Sequence, residues 1–191
     1  MYNMERLSDD YYVKKTLSGE TGSFAPLLER YGKQVFTLIV KIVGNREDAE
    51  ELTQDVFVKA YGSLAKFRAE SAFSTWIYRI AYNTAISATR KKGFDHIPID
   101  EAFIEETRDE TVLEESDDDR RLEYLYRALE QILPEERAMI TLYYKDDKSM
   151  DEIAVITGLT ETNVKTKMFR IRKKLLVLIK SMEGKSNGIE R

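Results

Sequence analysis

The sequence predicts an all-α protein of two small helical domains joined by an acidic connector. Apolar residues recur at helical spacing in both halves, and the strict alternation that marks strands is absent. Charge is divided by segment. Residues 1–94 hold 14 bases and 11 acids, residues 95–119 hold 1 base and 12 acids, and residues 120–191 hold 15 bases and 11 acids. The net charge of −4 over 191 residues is therefore an average of two mildly basic blocks and one very acidic segment. Local charge governs affinity for nucleic acid, so the acidic average does not exclude such a partner.

The elements follow in order. A first helix spans about 8–18. Gly22 and Ser23 open a second over about 23–43, with Phe24, Leu27, Leu28, Tyr31, Val35, Leu38, Ile39 and Ile42 at helical spacing, and Gly44-Asn45 ends it. A third, REDAEELTQDVFVKAY, runs from about 46 to 63. Ala49, Leu52, Val56 and Ala60 form its inward stripe, and Glu47, Asp48, Glu50, Glu51 and Asp55 point elsewhere. Acids in a first turn suit the helix dipole. Five on one short helix also make a patch for a basic partner. A fourth helix, FSTWIYRIAYNTAISATRKK, spans about 72–91 with Phe73, Trp76, Ile77, Ile80 and Thr84 inward. Its other side carries Thr75, Tyr78, Arg79, Tyr82, Asn83 and Ile86. Tyrosines interleaved with basic and amide groups can stack unpaired bases. The same pattern also suits a helix covered by a neighbour.

The connector, DHIPIDEAFIEETRDETVLEESDDD, is predicted to be extended by self-repulsion. Ile97, Ile99, Phe103, Ile104, Val112 and Leu113 are too sparse for a core. The segment is either a solubilising spacer or an acidic strand that mimics nucleic acid in a basic channel.

Beyond it, SMDEIAVITGLTETNVKTKMFRIRKK (149–174) has the layout of a helix-turn-helix: a short helix over 149–157, a turn at Thr157-Gly158, and a basic helix over about 161–181. At about 100° per residue, Val164, Met168, Ile171, Leu175 and Leu178 fall on one core-facing stripe. Thr162, Lys165, Thr166, Phe169, Arg170 and Lys173 lie opposite, where they can reach phosphates and base edges. The plainer alternative is an amphipathic helix with a solvated basic face. The tail KSNGIER, residues 185–191, is expected to be disordered.

Several classes are disfavoured. The absence of cysteine excludes disulfides and thiolate metal sites. No metal site or cofactor is expected. No apolar run approaches the roughly 20 residues of a membrane span, and MYNMERLSDD does not form a signal peptide, so a cytoplasmic location is expected. An enzyme is not expected. His96, the only histidine, lies in the connector, and there is no phosphate-binding glycine motif.

GNREDAEELTQDVFVKAYGSLAKF, then FSTWIYRIAYN, the acidic connector, and LPEERAMITLYYKDDKSMDEIAVITGLTETNVKTKMFRIRKKL together resemble a bacterial RNA polymerase sigma factor of the sigma-70 family. The likeness is to the extracytoplasmic-function (ECF) group, which keeps only sigma domains 2 and 4, and it runs from about Gly22 to Leu176. It implies domain 2 over 1–93, a flexible linker over 94–119, and domain 4 over 120–184 with further helices at about 120–132 and 134–144.

The resemblance also implies roles. The third helix would dock on the clamp helices of the polymerase largest subunit through Asp48, Glu51, Leu52, Gln54, Asp55 and Phe57. Lys66, Phe67, Arg68, Trp76, Arg79 and Asn83 would recognise and open the −10 element, and the angular argument adds Tyr78 and Tyr82. A flipped base captured there would begin melting. Domain 4 would read the −35 element through Asn163, Lys165, Thr166, Lys167, Phe169, Arg170 and Lys173 while resting on the polymerase flap. The linker would thread towards the RNA exit channel. An anti-sigma factor, anchored in a membrane, would hold the free protein.

Some positions depart from the family pattern. Lys167 stands where arginine is frequent, Asn163 where threonine is common, and Ile171 where a small residue is usual. Lysine lacks the bidentate fork that favours guanine, so Lys167 suits phosphate better than a base. The family's −35 base preference therefore does not transfer. A lone helix-turn-helix repressor or activator would account for 149–174 but not for the acidic patch or the −10-like helix.

Overall fold

In the computed structural model, residues 7–92 and 118–187 are described, and within them the regular structure is helical. The first domain comprises α1 (Asp9–Leu17), a 3₁₀ turn at Thr21–Phe24, α2 (Ala25–Val43), α3 (Arg46–Ser63), a 3₁₀ turn at Leu64–Lys66, and α4 (Phe73–Lys92). The second comprises α5 (Asp118–Gln131), α6 (Pro134–Tyr144), α7 (Met150–Thr157) and α8 (Glu161–Asn187). All eight predicted helices are present.

Their ends follow from local chemistry. The Ser8 side chain accepts from the Tyr11 amide to start α1. Gly44 closes α2 in the left-handed region at φ 74, where its amide reaches the Val40 carbonyl at 2.9 Å. Asn45 then caps α3 by accepting from the Asp48 amide at 3.0 Å. In the second domain, Ser149 and Glu152 form a reciprocal capping box at the start of α7. Gly158, at φ 74, makes the turn into α8. We expect Ser149→Ala to destabilise the chain by about 1 kcal/mol, lowering Tm by roughly 2–4 °C. An unchanged thermal midpoint would show that this cap is redundant.

The central helix α2 packs against α3 and α4. Leu27, Val35, Leu38, Ile39 and Ile42 are fully buried with Ala49, Val56 and Ala60 of α3 and Ile77 of α4. Ile132, Leu142, Ile153, Ile156, Val164, Met168 and Ile171 fill the second domain. Lys174, 8 % exposed, ties α8 to α6 through a 2.9 Å ion pair with Glu136. The two domains are not apart. Helices α2 and α4 lie against α6 and α7, and one continuous apolar cluster runs through both.

Four details differ from expectation. Leu28 lies on the predicted apolar spacing of α2 but is 46 % exposed. Helix α5 begins at Asp118, two residues inside the predicted linker. Helix α8 continues to Asn187, into the expected disordered tail, because none of the intervening residues is a proline. The second helix starts later than predicted, at Ala25, because residues 21–24 wind as a 3₁₀ turn ahead of Pro26. The connector residues 93–117, with His96 and the apolar residues weighed above, lie outside the described residues, as do 1–6 and 188–191. No described helix is long and apolar enough to cross a membrane.

Candidate nucleic-acid and polymerase interfaces

Three surfaces carry the predicted residues. On α8, the division into two faces matches the angular reading. Val164, Met168 and Ile171 are buried, and Asn163, Lys165, Thr166, Lys167, Phe169 and Arg170 are exposed. Phe169 is 58 % exposed, with the Lys173 ammonium 4.8 Å from its ring centroid. Lys165 pairs with Glu161 at 2.7 Å, one turn back. On the far side, Arg172 donates to the Tyr144 hydroxyl at 2.8 Å and lies over both Tyr143 and Tyr144. Helical periodicity carries no signal of this aromatic brace, because its partners sit on another helix. With its short first helix, tight glycine turn and basic outward face, the second domain defines a helix-turn-helix of the nucleic-acid-reading class.

On α3, Glu51, Gln54 and Asp55 are exposed, and Asp48 and Leu52 are half-buried. Phe57 is an exception. It was expected to help dock a partner, but at 6 % exposure it belongs to the core. It follows Val56 directly and widens the inward stripe by one position. Arg46 braces Glu50 at 3.0 Å, while Lys59 lies 4.0 Å from Asp55, so the acidic face keeps exposed carboxylates.

The third surface is α4 with the loop before it. Lys66 and Arg68 are exposed on that loop, and Ala69 adopts the left-handed region at φ 55, unusual for a residue with a Cβ. Phe67 and Trp76 are half-buried in an aromatic cluster with Phe73, at centroid separations of 5.2–5.7 Å. They therefore brace the loop as well as facing outward. Arg79 and Asn83 are exposed.

Tyr78 and Tyr82 require a correction. They were expected on an open face, but the structure leaves them 3 % and 8 % exposed. The second domain covers them. Lys148, in the turn between α6 and α7, sits 5.2 Å over the Tyr78 ring and donates to Ser74 Oγ at 3.4 Å. The Asp146 carboxylate lies beside the Tyr78 hydroxyl, and Thr75 donates to Glu152 at 3.1 Å. Arg90 reaches Glu135 at 3.5 Å, and Arg137 donates to the Lys41 carbonyl at 3.2 Å. Burial pushes the hydroxyls of Tyr78 and Tyr82 up, Tyr82 to about 12. Burial likewise raises the Asp146 carboxyl. At Glu152 burial pushes upward too, but the Ser149 amide, Lys148 and Thr75 together hold the group below the usual carboxylate range. Of the two readings of α4, a helix covered by a neighbour describes this conformation.

Both domains match known families. The family model for Sigma-70 region 2 matches residues 27–94, and that for Sigma-70, region 4 matches residues 122–175. The ECF RNA polymerase sigma-E factor of Escherichia coli (strain K12) is 32% identical over 177 residues, which is 88% of this chain and 92% of that protein. The sigma-E factor of Haemophilus influenzae is 34% identical over 180 residues, covering 88% of this chain and 93% of the other. Two solved structures share the fold. CnrH in complex with the cytosolic domain of CnrY has a TM-score of 0.67 and 23% identity, covering 91% of this chain and 97% of that one. The sigma factor RpoE with the anti-sigma factor NepR from Bartonella quintana has a TM-score of 0.61 and 22% identity, covering 82% and 96%. The chain belongs to the sigma-70 family, in its extracytoplasmic-function group. It is an alternative sigma factor that directs promoter-specific transcription initiation.

Proposed function

We propose that the three surfaces divide the work of initiation. The acidic face of α3, with Asp48, Glu51, Leu52, Gln54 and Asp55, docks on the clamp helices of core RNA polymerase. The loop before α4 and the helix itself, with Lys66, Phe67, Arg68, Trp76, Tyr78, Arg79, Tyr82 and Asn83, take the −10 element and hold its unpaired strand. Phe57 supports the docking helix from the core side. Helix α8 reads the −35 element while the second domain rests on the flap. The protein works in the cytoplasm, without catalysis of its own and without a cofactor, and an anti-sigma factor anchored in a membrane holds it inactive.

The observation that carries this reading is the pairing of an acidic helical face on one domain with a basic, outward-facing recognition helix on the other. A repressor needs only the second. The direct test is transcription from a supercoiled template by core polymerase with and without the purified chain. Binding to duplex without any promoter-dependent transcript would leave a repressor as the better description.

Melting gives a sharper test. Arg68→Ala and Asn83→Ala both change exposed side chains, so folding is little affected. Contacts to a single strand exist only after opening, so their loss falls on that step. At about 1–3 kcal/mol per stacked or held base, open-complex formation is expected to fall by roughly tenfold or more. A template with a pre-formed bubble restores part of the activity. No rescue by the bubble would assign these residues to duplex binding instead.

A further inference from the structure

The basic side chains of α8 are held in different ways. Lys165 pairs with Glu161 on the same helix, and Lys174 is buried against Glu136. Lys173 rests over Phe169. Arg172 is exposed and yet fixed to another helix. Its Nε donates to the Tyr144 hydroxyl at 2.8 Å, and its guanidinium carbon lies 5.5 and 5.6 Å from the ring centroids of Tyr143 and Tyr144. Those two rings meet edge to face at 4.9 Å, so the ledge under Arg172 is itself braced. Among the described residues no carboxylate pairs with Arg172.

The result is a positive charge that is oriented but not neutralised. With Nε engaged, both terminal nitrogens keep their N–H groups for an incoming acceptor. The Tyr144 hydroxyl accepts from Nε and keeps its own proton to donate, and Tyr144 is 59 % exposed. Lys145, the next residue, is exposed as well. A guanidinium already held in one orientation loses little freedom on binding. A cation here also suits the dipole at the end of α6, but that role calls for no particular orientation of the fork.

Its position along α8 points to duplex backbone. Arg172 follows Lys165 by two turns, about 10 Å along the axis and about 20° round it, at the edge of the outward face next to α6. The first turns of a recognition helix meet base edges, and phosphate contacts around them set its register on the duplex.

We propose that Arg172 and Tyr144 form a phosphate seat that grips the DNA backbone beside the −35 element and fixes how α8 enters the groove. Tyr143 is a positioning residue that holds the guanidinium from below. The place of the seat rests on the −35 reading given above; a backbone contact at Arg172 does not.

The test uses the full chain with two probes: a duplex that it selects from a randomised library, and a duplex of random sequence. Arg172→Gln is expected to weaken binding of both by about tenfold and to reduce the salt slope by about one charge. Arg172→Lys keeps the slope but loses about threefold in affinity, because an ammonium has no fork to present. Tyr144→Phe keeps the ring and the charge, and should lose about threefold at an unchanged slope. Neutral methylphosphonates, placed one at a time along the selected duplex, locate the contact. One flanking position should cost the wild-type chain about tenfold and cost Arg172→Gln nothing further. Circular dichroism and the thermal midpoint check that each variant is folded.

Wild-type affinity and salt slope in folded Arg172→Gln would overturn the seat. So would methylphosphonate losses that are the same in both proteins. Intact duplex binding with weakened binding to core polymerase would also overturn it, and would give Arg172 to an acidic protein surface. A wild-type chain that selects no preferred duplex would overturn the −35 reading instead, while weaker binding of random duplex by Arg172→Gln would still uphold a backbone contact.

Discussion

Glu51→Lys combined with Asp55→Lys should weaken binding to core RNA polymerase by about a hundredfold. Both carboxylates are exposed on α3, a turn apart, so the pair presents one charged patch. Placing like charges against a basic docking surface costs several kcal/mol, and each 1.4 kcal/mol is about tenfold in affinity. Asp48 is left in place because it lies in the first turn of α3, where lysine would oppose the helix dipole. The effect should shrink as salt rises, since exposed charges are screened over about 8–10 Å. Competition binding to core polymerase at two ionic strengths measures it, with −35 duplex binding as the check that the second domain is intact. Affinity for core that does not change in the folded variant would remove α3 from the docking surface.

The second large effect is expected on α8, where two kinds of contact should separate. Arg170 is exposed on the outward face, and a guanidinium can present its planar fork to guanine O6 and N7. Arg170→Ala should cost about 1–3 kcal/mol and relax the preference at one −35 position. Lys173 lies one turn on, its ammonium held over Phe169. A contact from there to the backbone carries no sequence information. Lys173→Ala should weaken all sequences alike and reduce the salt slope by about one charge. The Phe169 stack makes these neighbours interdependent, so Phe169→Ala should also release Lys173. Binding selection from a randomised −35 element, repeated at two salt concentrations, separates the outcomes. If Arg170→Ala leaves base preference intact, Arg170 is a phosphate contact.

The recognition helix was legible in the sequence because it is buried on one side only. Val164, Met168 and Ile171 are apolar at helical spacing, and everything opposite them is polar except Phe169. Helix α4 was not legible in the same way. It is covered on two sides, by α2 and α3 and by the second domain, and tyrosine is at home both in a covered interface and on a stacking surface. Periodicity identifies a face; it does not identify what lies against that face. The residues that meet α4 from the second domain were hidden for a related reason. Asp146 and Lys148 are ordinary turn residues until α4, more than sixty positions away in sequence, is brought beside them. Phe57, which the family resemblance places among the docking residues, turns its side chain inward here, and its burial beside Val56 leaves no periodic signal of its own.

Helix α8 runs unbroken from Glu161 to Asn187. At 1.5 Å per residue that is a rod of about 40 Å. Its first turns present the basic side chains, and its remainder packs along α5 and α6. Angle is therefore shared along the whole rod. One residue inserted between Asn163 and Leu175 would rotate everything beyond it by about 100° relative to the readers before it. Either the readers or the packing stripe would then face the wrong way. Such a helix can acquire a new preference by exchanging side chains in place, whereas a change in its length disables reading and anchoring together.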